Sequence, residues 1–310
     1  MGAKQDPIVG RYVYVPSEGE EYRTYYEEAG DGIPLVCLHT AGADNREWRH
    51  QMCDPDINKD FRVIAFDLPR HGKSIPPAGF EMQEYRLTAD FYGGFIKAFC
   101  DTLELDRPVI MGSSMGGNIC LDLAHRYPGA FRAFLAVEAC LYSPGWFLDI
   151  LHDPRVHGGE VCATSVFGLM APQAPDEYRW ETWWYYAQGG PGVFRGDLYF
   201  YSVDHDFREK VREIDGSSPM YLITGVYDFA CTPGMTEEAA AEIKNSKAII
   251  MEGIGHFPMS EDPGTYKKYI MPVLGEIVAG KTEVVMAGAE GSVRVVATPL
   301  LLSCYNFRRC

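Results

Sequence analysis

The chain is 310 residues long, 46 % apolar and 23 % charged, the balance of a soluble globule with a sizeable core rather than of a disordered or disulfide-stapled chain. Acidic residues outnumber basic ones 43 to 28, for a net charge of −15; a nucleic-acid backbone would be repelled, and no local basic patch offsets this. Nine cysteines, an odd number, show no CxxC or Cys/His spacing suited to zinc and read as reduced thiols. The opening residues lack an apolar signal segment, Asp6 stands where a myristoylation signal wants Ser or Thr, and no apolar run nears the ~18 residues of a membrane span. The expectation is a cytoplasmic protein whose partner is a small-molecule substrate, with no nucleic acid and no membrane; a homodimer is left open.

In chain order, residues 11–15 and 22–28 are β-rich runs separated by Pro16, Ser17 and Gly19, which predicts an antiparallel hairpin. Near-continuous apolar runs follow at 33–38, 61–66, 109–111, 131–137, 220–224 and 248–251. Strands apolar on both faces belong to a parallel sheet buried between helix layers. Helical patterns lie between and after them at 45–52, 87–103, 115–127, 233–244 and 263–278. Alternation of this kind predicts an open, doubly wound α/β sheet.

The alternation breaks at 142–205, which holds four of the five tryptophans, Trp146, Trp180, Trp183 and Trp184. An aromatic insertion emerging after a core strand is expected to lie as a lid over a pocket at the strand C-termini. These tryptophans are candidate substrate contacts; packing within the insertion is the plainer alternative. The core is expected at 1–141 and 206–279, the lid at 142–205 and an extension of undecided structure at 280–310.

The strongest chemical signal is Gly112-Ser113-Ser114-Met115-Gly116-Gly117, between a strand and a helix. A nucleophilic serine there sits on a strained turn, and side chains two positions either side would clash. Ser114 is the candidate nucleophile, with the Met115 N–H aimed at the oxyanion. His256, in a glycine-rich loop after the last apolar strand, is the candidate base, and Asp228, after the 220–224 strand, the candidate acid. Glu138, at the end of the 131–137 strand, is the alternative acid. The loop His39-Thr40-Ala41-Gly42 should supply the second oxyanion donor, the Ala41 N–H, and His39 is expected to brace that loop rather than act as a second base.

The segments LHTAG at 38–42, FDLPRHGKS at 66–74, GSSMGG at 112–117, GVYD at 225–228 and GHFP at 255–258 together resemble the α/β-hydrolase superfamily over about residues 20–279. The resemblance implies an eight-stranded, mostly parallel sheet with a helical cap and a triad needing no metal or cofactor: Ser114 nucleophile, Asp228 acid, His256 base, with Ala41 and Met115 as oxyanion donors. Thr40 departs from the family's usual glycine, and residues 280–310 have no counterpart. The Ser nucleophile disfavours the haloalkane dehalogenase and epoxide hydrolase branches, while SMGG is shared with enol-lactonases and carbon–carbon bond hydrolases. The leading function is a cofactor-independent serine hydrolase of a small apolar or aromatic ester, lactone, thioester or activated C–C bond. The alternatives are a ligand-binding protein of the same fold with slow or no turnover, and a metal-dependent hydrolase built on His152, Asp153, His157 and Glu160.

Overall fold

The computed structural model describes residues 3–152, 158–284 and 292–294. Among the described residues, nine strands form one sheet: β1 (Val9–Ser17), β2 (Glu20–Ala29), β3 (Ile33–Leu38), β4 (Phe61–Phe66), β5 (Val109–Ser113), β6 (Ala133–Val137), β7 (Met220–Gly225), β8 (Ser246–Met251) and β9 (Ser292–Arg294). Their spatial order is β1-β2-β4-β3-β5-β6-β7-β8-β9. Pairing is antiparallel between β1 and β2 and between β2 and β4, and parallel from β4 onward. The eight strands expected from the sequence are thus joined by a short parallel edge strand from the C-terminal extension; residues 285–291 and 295–310 of that extension lie outside the described residues.

The helices are α1 (Arg49–Met52), α2 (Pro55–Asn58), α3 (Ala89–Thr102), α4 (Met115–Arg126), α5 (Gly158–Phe167), α6 (Asp176–Ala187), α7 (Val193–Tyr199), α8 (Pro233–Glu242), α9 (Pro258–Glu261) and α10 (Pro263–Val278). Starts follow capping chemistry: the Thr88 side chain accepts the Phe91 N–H ahead of α3, and Asp262 accepts the Thr265 N–H ahead of α10. The pattern expected as one helix at 45–52 is a 3₁₀ turn, capped by Asp44, running into the single turn of α1.

Side chains alternate across the central strands into two apolar layers. Val36 and Leu38 of β3 join Phe95 and Phe99 of α3 and Ile119 and Leu123 of α4 on one face. Leu35 and Cys37 join Trp48, Met52 and Tyr266, Ile270 and Leu274 of α10 on the other. Burial on both faces is what made these strands read as continuous apolar runs. Among the described residues no helix is long and apolar enough to cross a membrane.

The parallel direction brings the C-terminal ends of β3, β5, β6, β7 and β8 to one edge. There the chain places His39, Ser114, Glu138, Asp228 and His256. The β6–β7 segment, carrying α5, α6 and α7, lies over the same edge: Leu169 accepts the His256 N–H at 3.1 Å, and Asp197 of α7 accepts the Gly42 N–H at 2.7 Å.

Candidate active site

Ser114 stands between β5 and α4 at φ 56 and ψ −113, a backbone region unfavourable for a residue with a side chain. The turn is held because its N–H donates to the Val137 carbonyl at 2.8 Å and its carbonyl accepts the Asn118 N–H at 2.8 Å. The glycines are demanded by contact. A Cβ on Gly112 would stand 2.0 Å from the Gly116 carbonyl oxygen, and one on Gly116 would stand 2.6 Å from that of Leu38.

His256 Nε2 lies 2.9 Å from Ser114 Oγ, and His256 Nδ1 lies 2.7 Å from Asp228 Oδ2. Serine and histidine are each only 4 % exposed and the aspartate 3 %. With Nδ1–H donating to the carboxylate, Nε2 is left to accept the serine hydroxyl proton, the tautomer a general base requires. Asp228 is fixed in turn by the Ala230 and Cys231 N–H groups on Oδ1, at 2.7 and 3.1 Å. Burial pushes its carboxyl up, but the charge of His256 and hydrogen bonds from His256, Glu138 and Ala230 outweigh that and hold it below the usual carboxylate range.

Glu138, the alternative acid, is fully buried and receives the Gly225 N–H at 2.9 Å. Burial and the neighbouring Asp228 charge push its carboxyl well above the ordinary value. Among the described residues, Glu138, Asp228 and His256 are the one group of three metal-capable side chains within 4.8 Å of one another; within it His256 Nδ1 and Asp228 Oδ2 already bond to each other. Of the loop cluster considered for a metal, Asp153 and His157 lie outside the described residues, and Glu160 is exposed on α5.

The loop carrying the candidate base has an anchor that the sequence did not reveal. Glu261, in α9, accepts the N–H groups of Gly255 at 2.5 Å, Phe257 at 3.1 Å and Ala171 at 3.2 Å. Burial pushes its carboxyl up to about 7 against the pull of those hydrogen bonds. A glutamate five residues after the histidine is visible in the sequence, but nothing there ties it to Ala171.

The candidate oxyanion side is the 39–44 loop. His39 braces it: Nδ1 meets the Thr40 carbonyl at 2.9 Å and Nε2 accepts the Leu68 N–H at 3.3 Å. Both nitrogens are engaged, so His39 offers no lone pair as a second base, and burial together with the nearby His71 lowers it to about 4. The Thr40 N–H and hydroxyl both donate to the buried Glu47 carboxyl, at 2.9 and 2.7 Å. Gly42 donates to Asp197 at 2.7 Å. Between these two anchored N–H groups, the Ala41 N–H has no acceptor among the described residues. Met115 is the first residue of α4, where helix geometry leaves the N–H without an intrahelical partner.

A cavity of about 80 Å³ opens at Ser114 and His256, with Thr40 and Ala41 in its wall. Trp146, Leu148, Val166, Leu169, Phe194 and Leu198 make it largely apolar, and Tyr186 and Tyr201 also line it. Of the four candidate tryptophans only Trp146 lines it. Trp180 and Trp184 are corrected: α6 buries Thr182, Tyr185 and Tyr186, and the helical period turns those two outward, 56 % and 57 % exposed. Trp183 packs against the buried core layer rather than the cavity. The aromatic residue of α6 that reaches the cavity is Tyr186, whose hydroxyl bonds to Thr40 Oγ1.

A family model described as the alpha/beta hydrolase fold matches residues 33–156. The 2-hydroxymuconate semialdehyde hydrolase of Pseudomonas sp. (strain CF600) is 31 % identical over 134 residues, 43 % of this chain. That alignment spans 44 % of the relative's own length, under half of it. Among solved structures, a thermophilic esterase from Thermogutta terrifontis superposes with a TM-score of 0.74 at 20 % identity, over 86 % of this chain and 99 % of its own. The enol-lactonase from Burkholderia xenovorans LB400 also gives 0.74 at 20 % identity, over 86 % of this chain and 100 % of its own. At such identity the likeness concerns the fold.

Proposed function

The chain belongs to the α/β-hydrolase superfamily, and on that premise we propose that it is a cofactor-independent serine hydrolase acting on a small, uncharged, apolar acyl compound. The observation that carries this is the unbroken relay from Ser114 Oγ to His256 Nε2, and from His256 Nδ1 to Asp228. Ser114 attacks the substrate carbonyl carbon while His256 takes the hydroxyl proton, and Asp228 stabilises the imidazolium. The N–H groups of Met115 and Ala41 hold the tetrahedral oxyanion. His256 then protonates the leaving group, and the acyl-enzyme is resolved by water that His256 deprotonates. Residues 142–205 act as the cap that closes the acyl site.

The wall composition supports an uncharged ester, lactone or thioester over an anionic substrate. No Lys, Arg, Asp or Glu is among the described residues lining the cavity, so a carboxylate such as the muconate in that relative's name would be buried without a counter-ion. Turnover of 4-nitrophenyl acyl esters, with mass spectrometry of the protein after a fluorophosphonate, tests the proposal. The expected result is an adduct on Ser114, lost together with turnover in Ser114→Ala. Neither adduct nor turnover in the parent protein overturns it; saturable binding of apolar esters without turnover selects the ligand-binding alternative.

A further inference from the structure

One fully buried carboxylate links the β6–β7 segment to the oxyanion loop. Asp197 Oδ2 accepts both the Gly42 N–H at 2.7 Å and His71 Nε2 at 2.8 Å, while Oδ1 accepts the Tyr85 hydroxyl at 2.8 Å. The other nitrogen of His71, Nδ1, faces the Pro69 carbonyl at 3.1 Å. Both ring nitrogens therefore meet acceptors, and only the imidazolium can donate to both. His39, its ring centroid 4.6 Å away, is the neutral complement, with one nitrogen donating and the other accepting. The side chains of His71 and Asp197 are 0 % exposed.

A buried ion pair contributes little net stability for its desolvation, which turns attention to what the pair holds. Gly42 has φ +76, and a Cβ there would come 2.8 Å from Phe194 of α7, so loop and helix are in direct contact. Along Thr40-Ala41-Gly42 the outer two N–H groups are taken by the carboxyls of Glu47 and Asp197, and the middle one has no acceptor among the described residues.

We infer that Asp197, oriented by His71 and Tyr85, is a positioning residue that acts through Gly42 to aim the Ala41 N–H at the oxyanion. The cap thereby completes the catalytic site from outside the cavity. This inference rests on the serine-hydrolase proposal above.

Asp197→Asn keeps the side-chain size but cannot accept three donors as a carboxylate does. Misplacing one oxyanion donor should lower kcat for 4-nitrophenyl butyrate by roughly 10²-fold, with KM changed less than about threefold. Inhibition by an alkyl trifluoromethyl ketone, which forms a tetrahedral oxyanion on the serine, should weaken by the same factor as kcat. Binding of the matching alcohol, which forms none, should be unchanged. Should the Asn variant fail to fold because a lone imidazolium is left buried, the double variant His71→Leu/Asp197→Leu removes both charges and is expected to give the same split. Parent-like kcat in a folded variant, or equal weakening of ketone and alcohol, overturns the inference. A parent protein without ester turnover or a Ser114 adduct sinks the hydrolase proposal and this inference together; an active parent matched by its variants sinks only the inference.

Discussion

The carboxyl groups of Glu138 and Asp228, at the ends of adjacent strands, stand within 4.8 Å of each other and of the His256 ring, yet only Asp228 bonds to the imidazole. Burial and its neighbour's charge push the Glu138 carboxyl far up, while the charge and hydrogen bonds around Asp228 outweigh its burial and hold it below the ordinary range. Two like charges so close in a buried site do not both persist. Asp228→Asn is therefore expected to lower kcat by about 10⁴-fold by losing the orienting anion. Glu138→Gln, an isostere of the neutral acid, should stay within about tenfold of the parent. Steady-state kinetics on an aryl ester separates the two; a larger loss at Glu138 would reverse the assignment.

The nucleophile turn gives a prediction about stability. Gly112→Ala would push a methyl to 2.0 Å from the Gly116 carbonyl oxygen, a backbone atom with no room to yield. Overpacking of this kind costs at least about 2 kcal/mol. Urea denaturation should place its midpoint well below that of Gly94→Ala, where nothing stands within 4 Å of the added carbon.

Glu47 supplies a pH signature. Burial pushes its carboxyl from the ordinary 4.5 up to about 7, against the hydrogen bonds from Thr40. In the folded protein it therefore holds a proton that the unfolded chain has already released between those values. Its contribution to stability is complete below pH about 4.5 and is lost as the pH rises through about 7. Glu47→Gln has no such loss, so the variant should gain roughly 1–3 kcal/mol on the parent between the two ends of that window. Paired urea titrations at each end measure the difference, and parallel curves would refute it.

For substrate contacts, the cavity wall singles out one tryptophan. Trp146→Ala should raise KM for a medium-chain acyl ester about tenfold, the worth of a partly buried aromatic surface. Trp180→Ala, on the outer face of α6, should leave KM as it was. Equal effects from both would place the substrate elsewhere.

Ser114, Asp228 and His256 were legible in the sequence because each lies within a few residues of a strand end, in a local motif whose glycines and order carry the geometry. The central strands were legible for a similar reason, since burial on both faces leaves an unbroken apolar run. Asp197, Glu261 and Tyr186 were not, because their partners are distant in sequence and no local pattern couples Asp197 to Gly42 or Glu261 to Ala171. The same limit misled the choice of tryptophans: density of aromatics in α6 is a property of composition, whereas the face that turns inward is decided by the packing of Thr182 and Tyr185. The β9 edge strand is three residues long, too short for alternation to mark it.

Leu169 receives the His256 backbone, Ala171 shares the Glu261 carboxyl, and Asp197 grips Gly42, so the chain between β6 and β7 is not a detachable accessory. Grafting that stretch from another protein, or trimming it to open the entrance, would unseat both the His256 loop and the 39–44 loop. Altering what this protein accepts is a matter of exchanging individual wall side chains and leaving those three attachments untouched.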